Sequence, residues 1–294
     1  MMAQTHTILE KRQLSENVFC LRVNAPLIAQ ERKAGQFILL SVDGEFGERI
    51  PLTIADADAA EGSITLIFQR VGMTTAKLAA MNVGDVLAVL VGPLGQPTHI
   101  EKLGMVVCVG GGIGVAPLYP IVQALKAVGN YVVTIIGARN QELVILEDEM
   151  RAHSDELIIC TDDGSYGRKA LVTEPLKEVC ARAPKPALAV AIGPPIMMKF
   201  CAQATLPYEV HTVVSLNTIM VDGTGMCGGC RVTVGGEAKF VCVDGPEFDG
   251  HLVDFDGMMK RLQAYRGQER QAMADHESHA CNLDQAYRVA TEKK

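Results

Sequence analysis

The residues best suited to chemistry concentrate in one stretch, Asp222-Gly-Thr-Gly-Met-Cys227-Gly-Gly-Cys230, followed by RVTVGGEAKFV and Cys242. The cysteine spacing is C-x2-C-x11-C. Thiolates are soft ligands, and clusters of this kind hold zinc or iron–sulfur centres. Val232, Val234, Ala238 and Phe240 flank the pair Gly235-Gly236. That pattern predicts a tight hairpin that returns Cys242 to the side of Cys230. Four residues compete for the fourth ligand position: Asp222, Asp244, His211 and Cys201. Asp222 completes D-x4-C-x2-C-x11-C and stands at the first position of the plant-type C-x4-C-x2-C…C spacing. An aspartate in a DGTG turn can also be a turn residue, bonded to its own loop.

A second group of motifs suits nucleotides. Gly110-Gly-Gly-Ile-Gly114 follows an apolar run and opens a helical stretch, so backbone N–H groups and a helix N-terminus could face a pyrophosphate. Thr161-Asp-Asp-Gly-Ser-Tyr166-Gly and Gly193-Pro-Pro-Ile-Met197 each follow another apolar run. Each alone is an ordinary turn; together they describe loops at the carboxyl ends of neighbouring strands, where an open α/β sheet has its ligand crevice. No acidic residue ends the second strand, which reads Gly137-Ala-Arg139. Nearer the N-terminus, Arg49-Ile-Pro-Leu-Thr53, Gly72-Met-Thr74-Thr75 and Gly92-Pro-Leu-Gly95 could meet a phosphate or a flat ring, though none is specific alone.

The elements that must position these residues fall into successive segments. Residues 1–100 read as all-β, with runs Val18–Val23, Phe37–Val42, Ser63–Gln69 and Val86–Val91 and one helix, Met73–Met81. Residues 101–214 alternate near-continuous apolar strands (Met105–Val109, Val132–Ile136, Leu157–Cys160, Ala187–Ile192) with helices (Leu118–Val128, around Glu142–Arg151, Val172–Ala181). This is the pattern of a doubly wound parallel sheet. Residues 215–250 form the cysteine lobe. In 251–294, Leu252, Phe255, Met259, Leu262 and Arg266 have the spacing of a docking helix, followed by a polar tail. His276, His279 and Cys281 in that tail read as surface residues rather than a second metal site.

Composition narrows the classes. A net charge of -7 with no basic run argues against nucleic acid. The uncharged run from Gly104 to Leu125 is broken by glycines and prolines, which argues against membrane insertion. Nine cysteines and no apolar leader at the N-terminus give the expectation of a reducing, cytoplasmic setting without disulfides. Cys20, Cys108, Cys160, Cys180 and Cys201 sit among apolar neighbours and read as core.

Taken together, ERIPLTI, VGGGIGVAP, CTDDGSYGRK, AIGPPIMMK and the cysteine lobe resemble the ferredoxin–NADP reductase superfamily. More narrowly, they resemble the small electron-transfer subunits of dihydroorotate dehydrogenase, sulfide dehydrogenase and the NADH-dependent ferredoxin:NADP oxidoreductase. The resemblance covers residues from about 5 to 265. It implies an FAD-binding β-barrel, a doubly wound NAD(P)-binding domain and a small β-hairpin [2Fe–2S] lobe. By that resemblance Pro51, Leu52 and Thr53 lie against the isoalloxazine, with Thr53 near its reactive nitrogen as the catalytic residue. Arg49, Gly72 and Thr74 approach the FAD diphosphate; Gly111, Gly112, Gly114, Asp162 and Gly193 surround NAD(H) or NADP(H). The resemblance also implies Asp222, Cys227, Cys230 and Cys242 as the cluster ligands and a larger flavin and iron–sulfur oxidoreductase subunit as the partner.

The sequence departs from the wider R-x-Y-S/T pattern: Ile50 and Leu52 fill the Arg and aromatic slots, displacing Arg49 by one position. Ile192 stands where many relatives have Cys, and Asp222 replaces the first cluster cysteine. The aspartate points to the oxidoreductase or sulfide-dehydrogenase branch, with the dihydroorotate dehydrogenase subunit the nearest alternative. A stand-alone NAD(P)H flavoreductase and a zinc-stabilised nucleotide-binding module are the readings from other classes.

Overall fold

The computed structural model describes residues 5–44 and 47–275. The first part is a curled antiparallel sheet. Its elements are β1 (Ile8–Ser15), β2 (Val18–Asn24), α1 (Pro26–Glu31), β3 (Phe37–Ser41), β4 (Ile50–Asp58), β5 (Ser63–Gln69), α2 (Met73–Ala80) and β6 (Val89–Leu94). The strand order is β1-β2-β5-β4-β3-β6. Thr7 bridges Val86, so the two ends of the sheet meet as in a barrel. Alternate residues such as Leu21, Val23, Ile38, Leu40, Leu66 and Phe68 fill its interior. Two sequence expectations need correction. Met73–Met81 is not the one helix of this part, because Pro26 starts a six-residue helix too short to show a period. The last strand runs Val89–Leu94 rather than Val86–Val91, with Pro93 inside it.

The second part contains β7 (Met105–Gly111), α3 (Val115–Ala127), β8 (Tyr131–Ala138), α4 (Glu147–Ala152), β9 (Glu156–Thr161), β10 (Arg168–Lys169), α5 (Thr173–Cys180), β11 (Leu188–Ile192), α6 (Pro195–Thr205) and β12 (His211–Ser215). β7, β8, β9, β11 and β12 are parallel, and Val106, Val107, Cys108 and Val109 are fully buried between helix layers. The helix α3 begins at Val115, three residues before the predicted Leu118. Pro117 lies in its first turn, where a missing N–H breaks no intrahelical bond. The helix expected around Glu142–Arg151 is a 3-10 turn at Gln141–Leu143 followed by α4.

The third part is the cysteine lobe: β13 (Arg231–Val234), β14 (Glu237–Phe240), α7 (Val241–Asp244), β15 (Glu247–Asp249) and α8 (Phe255–Leu262). Gly235 and Gly236 have φ of 59° and 84°, the two positive angles that a two-residue hairpin turn requires. β15 pairs antiparallel with β12, so the sheet order is β10-β9-β8-β7-β11-β12-β15. The apolar side of α8 packs on this chain's own core through Phe255, Met259 and Leu262, as their spacing suggested, and also through Met258, which is more deeply buried than Met259. Asp254 caps the helix by accepting from the Gly257 amide. Arg261 donates to the Gly229 carbonyl at 3.1 Å, tying α8 to the cysteine loop. His276, His279 and Cys281 lie outside the described residues.

Strand order reverses between β7 and β11, and there the backbones come closest. A Cβ on Gly114 would stand 2.6 Å from Gly193 Cα and collide with the Ile192 carbonyl. Gly114 therefore serves helix-to-strand packing. Gly114→Ala should lower stability by about 1–3 kcal/mol in chemical denaturation, the range for overpacking. Unchanged stability would show that this approach is not needed.

Candidate functional site

The hairpin brings Cys230 and Cys242 together as expected. The Cys230 thiol donates to Cys242 Sγ at 3.2 Å, and both residues are 2% exposed. Burial and the neighbouring Cys230 sulfur push the Cys242 thiol up to about 12. Two buried sulfurs at this distance do not ionise together unless a cation offsets their charge.

Asp222 and Cys227 form a second pair on the preceding loop. Thr224 Oγ1 and the Met226 amide donate to Asp222 Oδ2 at 2.7 and 3.1 Å. With the nearby Cys227 thiol first among the causes, they hold the carboxyl well below the usual carboxylate range. That thiol lies outside hydrogen-bond geometry, and Asp222 Oδ1 is a buried oxygen with no partner. A buried carboxylate oxygen without a partner, beside a thiol, is a donor set that fits a metal or cluster iron. The competing candidates are engaged elsewhere. Asp244 Oδ2 accepts from the Phe240 amide at 2.6 Å. Cys201 is fully buried in α6 beside Cys180, and burial pushes its thiol up to about 12. His211 lies at the start of β12, 3.9 Å from Asp249.

Among the described residues, no three His, Cys, Asp or Glu side chains converge on one point. A single zinc ion needs four donors about 2.0–2.3 Å from one centre. Two separate pairs suit a binuclear cluster better, because each of its irons takes two protein ligands.

At the switch point a cleft of about 1050 Å³ opens over the carboxyl ends of β7, β8, β9 and β11. Gly111, Gly112, Arg139, Asp162 and Gly193 line it, so the three glycine-rich or polar loops do share one crevice. Gly112 has φ of 55° with open space where a Cβ would be, leaving its backbone accessible. Gly111 and Gly193 lie against Met197, and a Cβ on Gly193 would be 2.8 Å from Met197 Cε. Gly114 is buried beneath this wall and is not among the lining residues. Asp163 accepts from Ser165 Oγ at 2.7 Å and fixes the loop that carries Asp162. Arg139 is exposed, without an acidic partner among the described residues. Sequence reasoning missed Val18 and Gln69, which the barrel contributes to this cleft, and Asn217 and Leu262 from the far side. Nothing local marks them.

On the barrel, the pleat divides Pro51, Leu52 and Thr53. Leu52 packs toward the barrel interior, while Pro51 and Thr53 share the opposite face and pair with Leu39 and Phe37 of β3. Among the three residues expected at the ring, Pro51 and Thr53 thus share one face of β4 and Leu52 lies on the other. The α2 N-terminus stands beside the start of β4. Thr74 is buried and its hydroxyl donates to Glu48, next to the exposed Arg49. Thr75 Oγ1 accepts from the Val71 and Gly72 amides at 3.0 Å, and space is open at Gly72. Arg49, Gly72 and Thr74 thus gather at a helix N-terminus, which favours negative charge. Glu48 places its carboxyl there.

Residues 217–254 match a family described as the iron–sulfur cluster binding domain of dihydroorotate dehydrogenase B. A chain in the solved structure of an NADH-dependent reduced ferredoxin–NADP oxidoreductase, studied for flavin-based electron bifurcation, superposes with TM-score 0.87. It is 45% identical and covers 92% of this chain and 98% of that one. An Amycolatopsis cytochrome P450 reductase, 22% identical over 70% of this chain and 66% of its own, shares the fold with TM-score 0.58. The class is therefore the ferredoxin reductase-like fold, with a barrel of the FAD-binding type and a parallel sheet of the NAD-binding type.

A Thermotoga maritima dihydroorotate dehydrogenase B (NAD(+)) electron transfer subunit homolog is 48% identical over 263 residues, 90% of this chain and 92% of that one. The Bacillus caldolyticus dihydroorotate dehydrogenase B (NAD(+)) electron transfer subunit is 33% identical over 82% of this chain and 95% of its own. The chain belongs to the family of dihydroorotate dehydrogenase B electron-transfer subunits and their homologues. Among the described residues, no helix is long and apolar enough to cross a membrane.

One carboxyl outside the expected set is perturbed. Desolvation raises Glu247 from 4.5 to about 7, against a smaller lowering from the Thr98 hydroxyl. The folded chain then holds this proton more tightly than the unfolded chain. The contribution to stability is full below pH 4.5 and is lost as pH rises toward about 7. Glu247→Gln should flatten the decline in thermal stability across that window; an unaltered profile would place the titration elsewhere.

Proposed function

We propose that this chain carries electrons between a pyridine nucleotide and a larger oxidoreductase subunit, through FAD on the barrel and a [2Fe–2S] cluster on the cysteine lobe. The observation that supports this reading is that two pairs of candidate ligands, Asp222 with Cys227 and Cys230 with Cys242, lie on a lobe packed against the barrel. When bound, FAD accepts electrons in pairs and releases them singly to a one-electron carrier such as the cluster.

The chain's own residues bind, orient and shield. Gly111, Gly112 and Gly193 keep the cleft floor free of side chains, so that NAD(H) or NADP(H) can approach the backbone. Asp162 and Arg139 border the same nucleotide. Arg49, Gly72 and Thr74 would hold the FAD diphosphate at the α2 N-terminus, with Thr74 exchanging its bond to Glu48 for a phosphate oxygen. Pro51 and Thr53, on one face of β4, would present one apolar and one hydroxyl-bearing position to the flavin ring, with Thr53 near its reactive nitrogen. The buried Cys230 and Cys242 would exclude water from one side of a cluster, while Cys227 is exposed.

Asp222 favours the oxidoreductase branch, and full-length similarity to the NADH-dependent reduced ferredoxin–NADP oxidoreductase chain supports it. The dihydroorotate dehydrogenase reading rests on the family match over 217–254 and on the relatives named for that enzyme, 48% and 33% identical to this chain. Identification of the co-purifying large subunit separates the two. Asp222→Ala should reduce bound iron from about two per chain to less than half of the wild-type content while FAD remains bound. Asp222→Cys should retain iron and shift the cluster potential. Full iron content and an unchanged potential in Asp222→Ala would exclude the aspartate as a ligand.

A further inference from the structure

The segment leaving β6 crosses directly over the segment that follows Cys242. The Gln96 amide donates to the Gly245 carbonyl at 2.7 Å, and Gln96 Nε2 donates to the Val243 carbonyl at 3.0 Å. The Thr98 hydroxyl donates to Glu247 Oε1. Three bonds thus join Gln96–Thr98 to Val243–Glu247, two segments nearly one hundred and fifty positions apart, as the Thr98–Glu247 separation of 149 shows.

Both ends of this contact lead to the electron path. On the barrel side, the Thr98 amide donates to the Ala34 carbonyl at 2.9 Å, and Gln36 Nε2 donates to the Gly95 carbonyl at 2.9 Å. Gly35, with φ of 84°, lies under the pair; a Cβ there would be 2.8 Å from Glu247 Oε1. This turn leads into β3, whose Phe37 and Leu39 pair with Thr53 and Pro51. On the lobe side, Val243 packs on Gly225 of the Asp222 loop, and Glu247 pairs with Ser215 of the parallel sheet. Glu247 is partly exposed as a residue, but its carboxyl is lodged against Thr98 and the Gly35 backbone, where desolvation raises its pKa.

We propose that Gln96, Thr98 and Glu247 are positioning residues that clamp the cysteine lobe at a fixed separation from the flavin strand β4 and thereby set the rate of electron passage between them. The clamp rests on the functional reading above. It touches neither the nucleotide cleft nor the four ligand candidates, so loosening it should alter spacing without altering cofactor content. Electron passage falls exponentially with separation, so displacement on the scale of an ångström is enough to slow it severalfold.

The test compares the FAD- and cluster-loaded wild type with Gln96→Ala/Thr98→Val and with Thr98→Ser. Flavin and iron content, and the EPR signal of the reduced cluster, should be equal in all three. In stopped flow, flavin reduction by NADH should stay essentially at the wild-type rate, while electron passage from flavin to cluster should fall severalfold in the double variant. Thr98→Ser and Glu247→Gln keep a donor and an acceptor and should remain near wild type. Independently of the cofactors, hydrogen exchange over 94–98 and 243–249 should accelerate in the double variant and be restored in Thr98→Ser. Unchanged exchange, or equal slowing of both electron-transfer steps, overturns the clamp. A wild-type cluster that never accepts electrons from the flavin overturns the functional reading instead, and the rate claim with it.

Discussion

The contact on which this structure depends is the seam between β3 and the Asp222 loop. Leu39 is one of the two barrel residues in the buried cluster that continues through Val214, Leu216, Cys230, Val232 and Cys242 to Phe255 and Met258. Gly223, at φ of 74°, lets the loop lie flat on the barrel: a Cβ would be 2.6 Å from Leu39 Cδ1 and 2.9 Å from Leu94 Cδ1. Barrel, parallel sheet and cysteine hairpin therefore share one core. Its apolar packing ties the three parts into one body, within which the polar clamp acts on their spacing.

The same logic governs the switch point of the sheet. Gly110, Gly111, Gly114 and Gly193 have tight neighbours at the position of a missing Cβ, whereas Gly112 faces open space. Most glycines in that motif thus let helix, strand and Met197 approach one another, and one leaves the backbone free for a ligand. A glycine-rich loop combines packing and binding, and only the surroundings of each Cβ position separate the two.

Much of this was legible in the sequence because short-range rules dictated it. The Gly235-Gly236 turn needs positive φ, the buried parallel strands read as unbroken apolar runs, and the hairpin period places Cys242 beside Cys230. The helix at Pro26–Glu31 is too short for periodicity, and a strand containing Pro93 contradicts local propensity yet pairs through Leu94 with Phe37. The division of Leu52 from Pro51 and Thr53 follows from the two-residue pleat and could have been read once the strand was recognised. The Gln96–Thr98 contact with Val243–Glu247 could not: ordinary polar residues far apart in sequence carry no pattern, and only the closed barrel and the return of β15 to the sheet bring them together.

The central claim is an electron path from a flavin on the barrel to an iron–sulfur cluster on the lobe. An anaerobic titration of the FAD- and iron-loaded chain with NADH, followed by visible absorption and low-temperature EPR, tests it most directly. The account predicts bleaching of the flavin accompanied by the signal of a reduced [2Fe–2S] cluster. A preparation with stoichiometric zinc, or a flavin that bleaches while the iron stays oxidised, would contradict it.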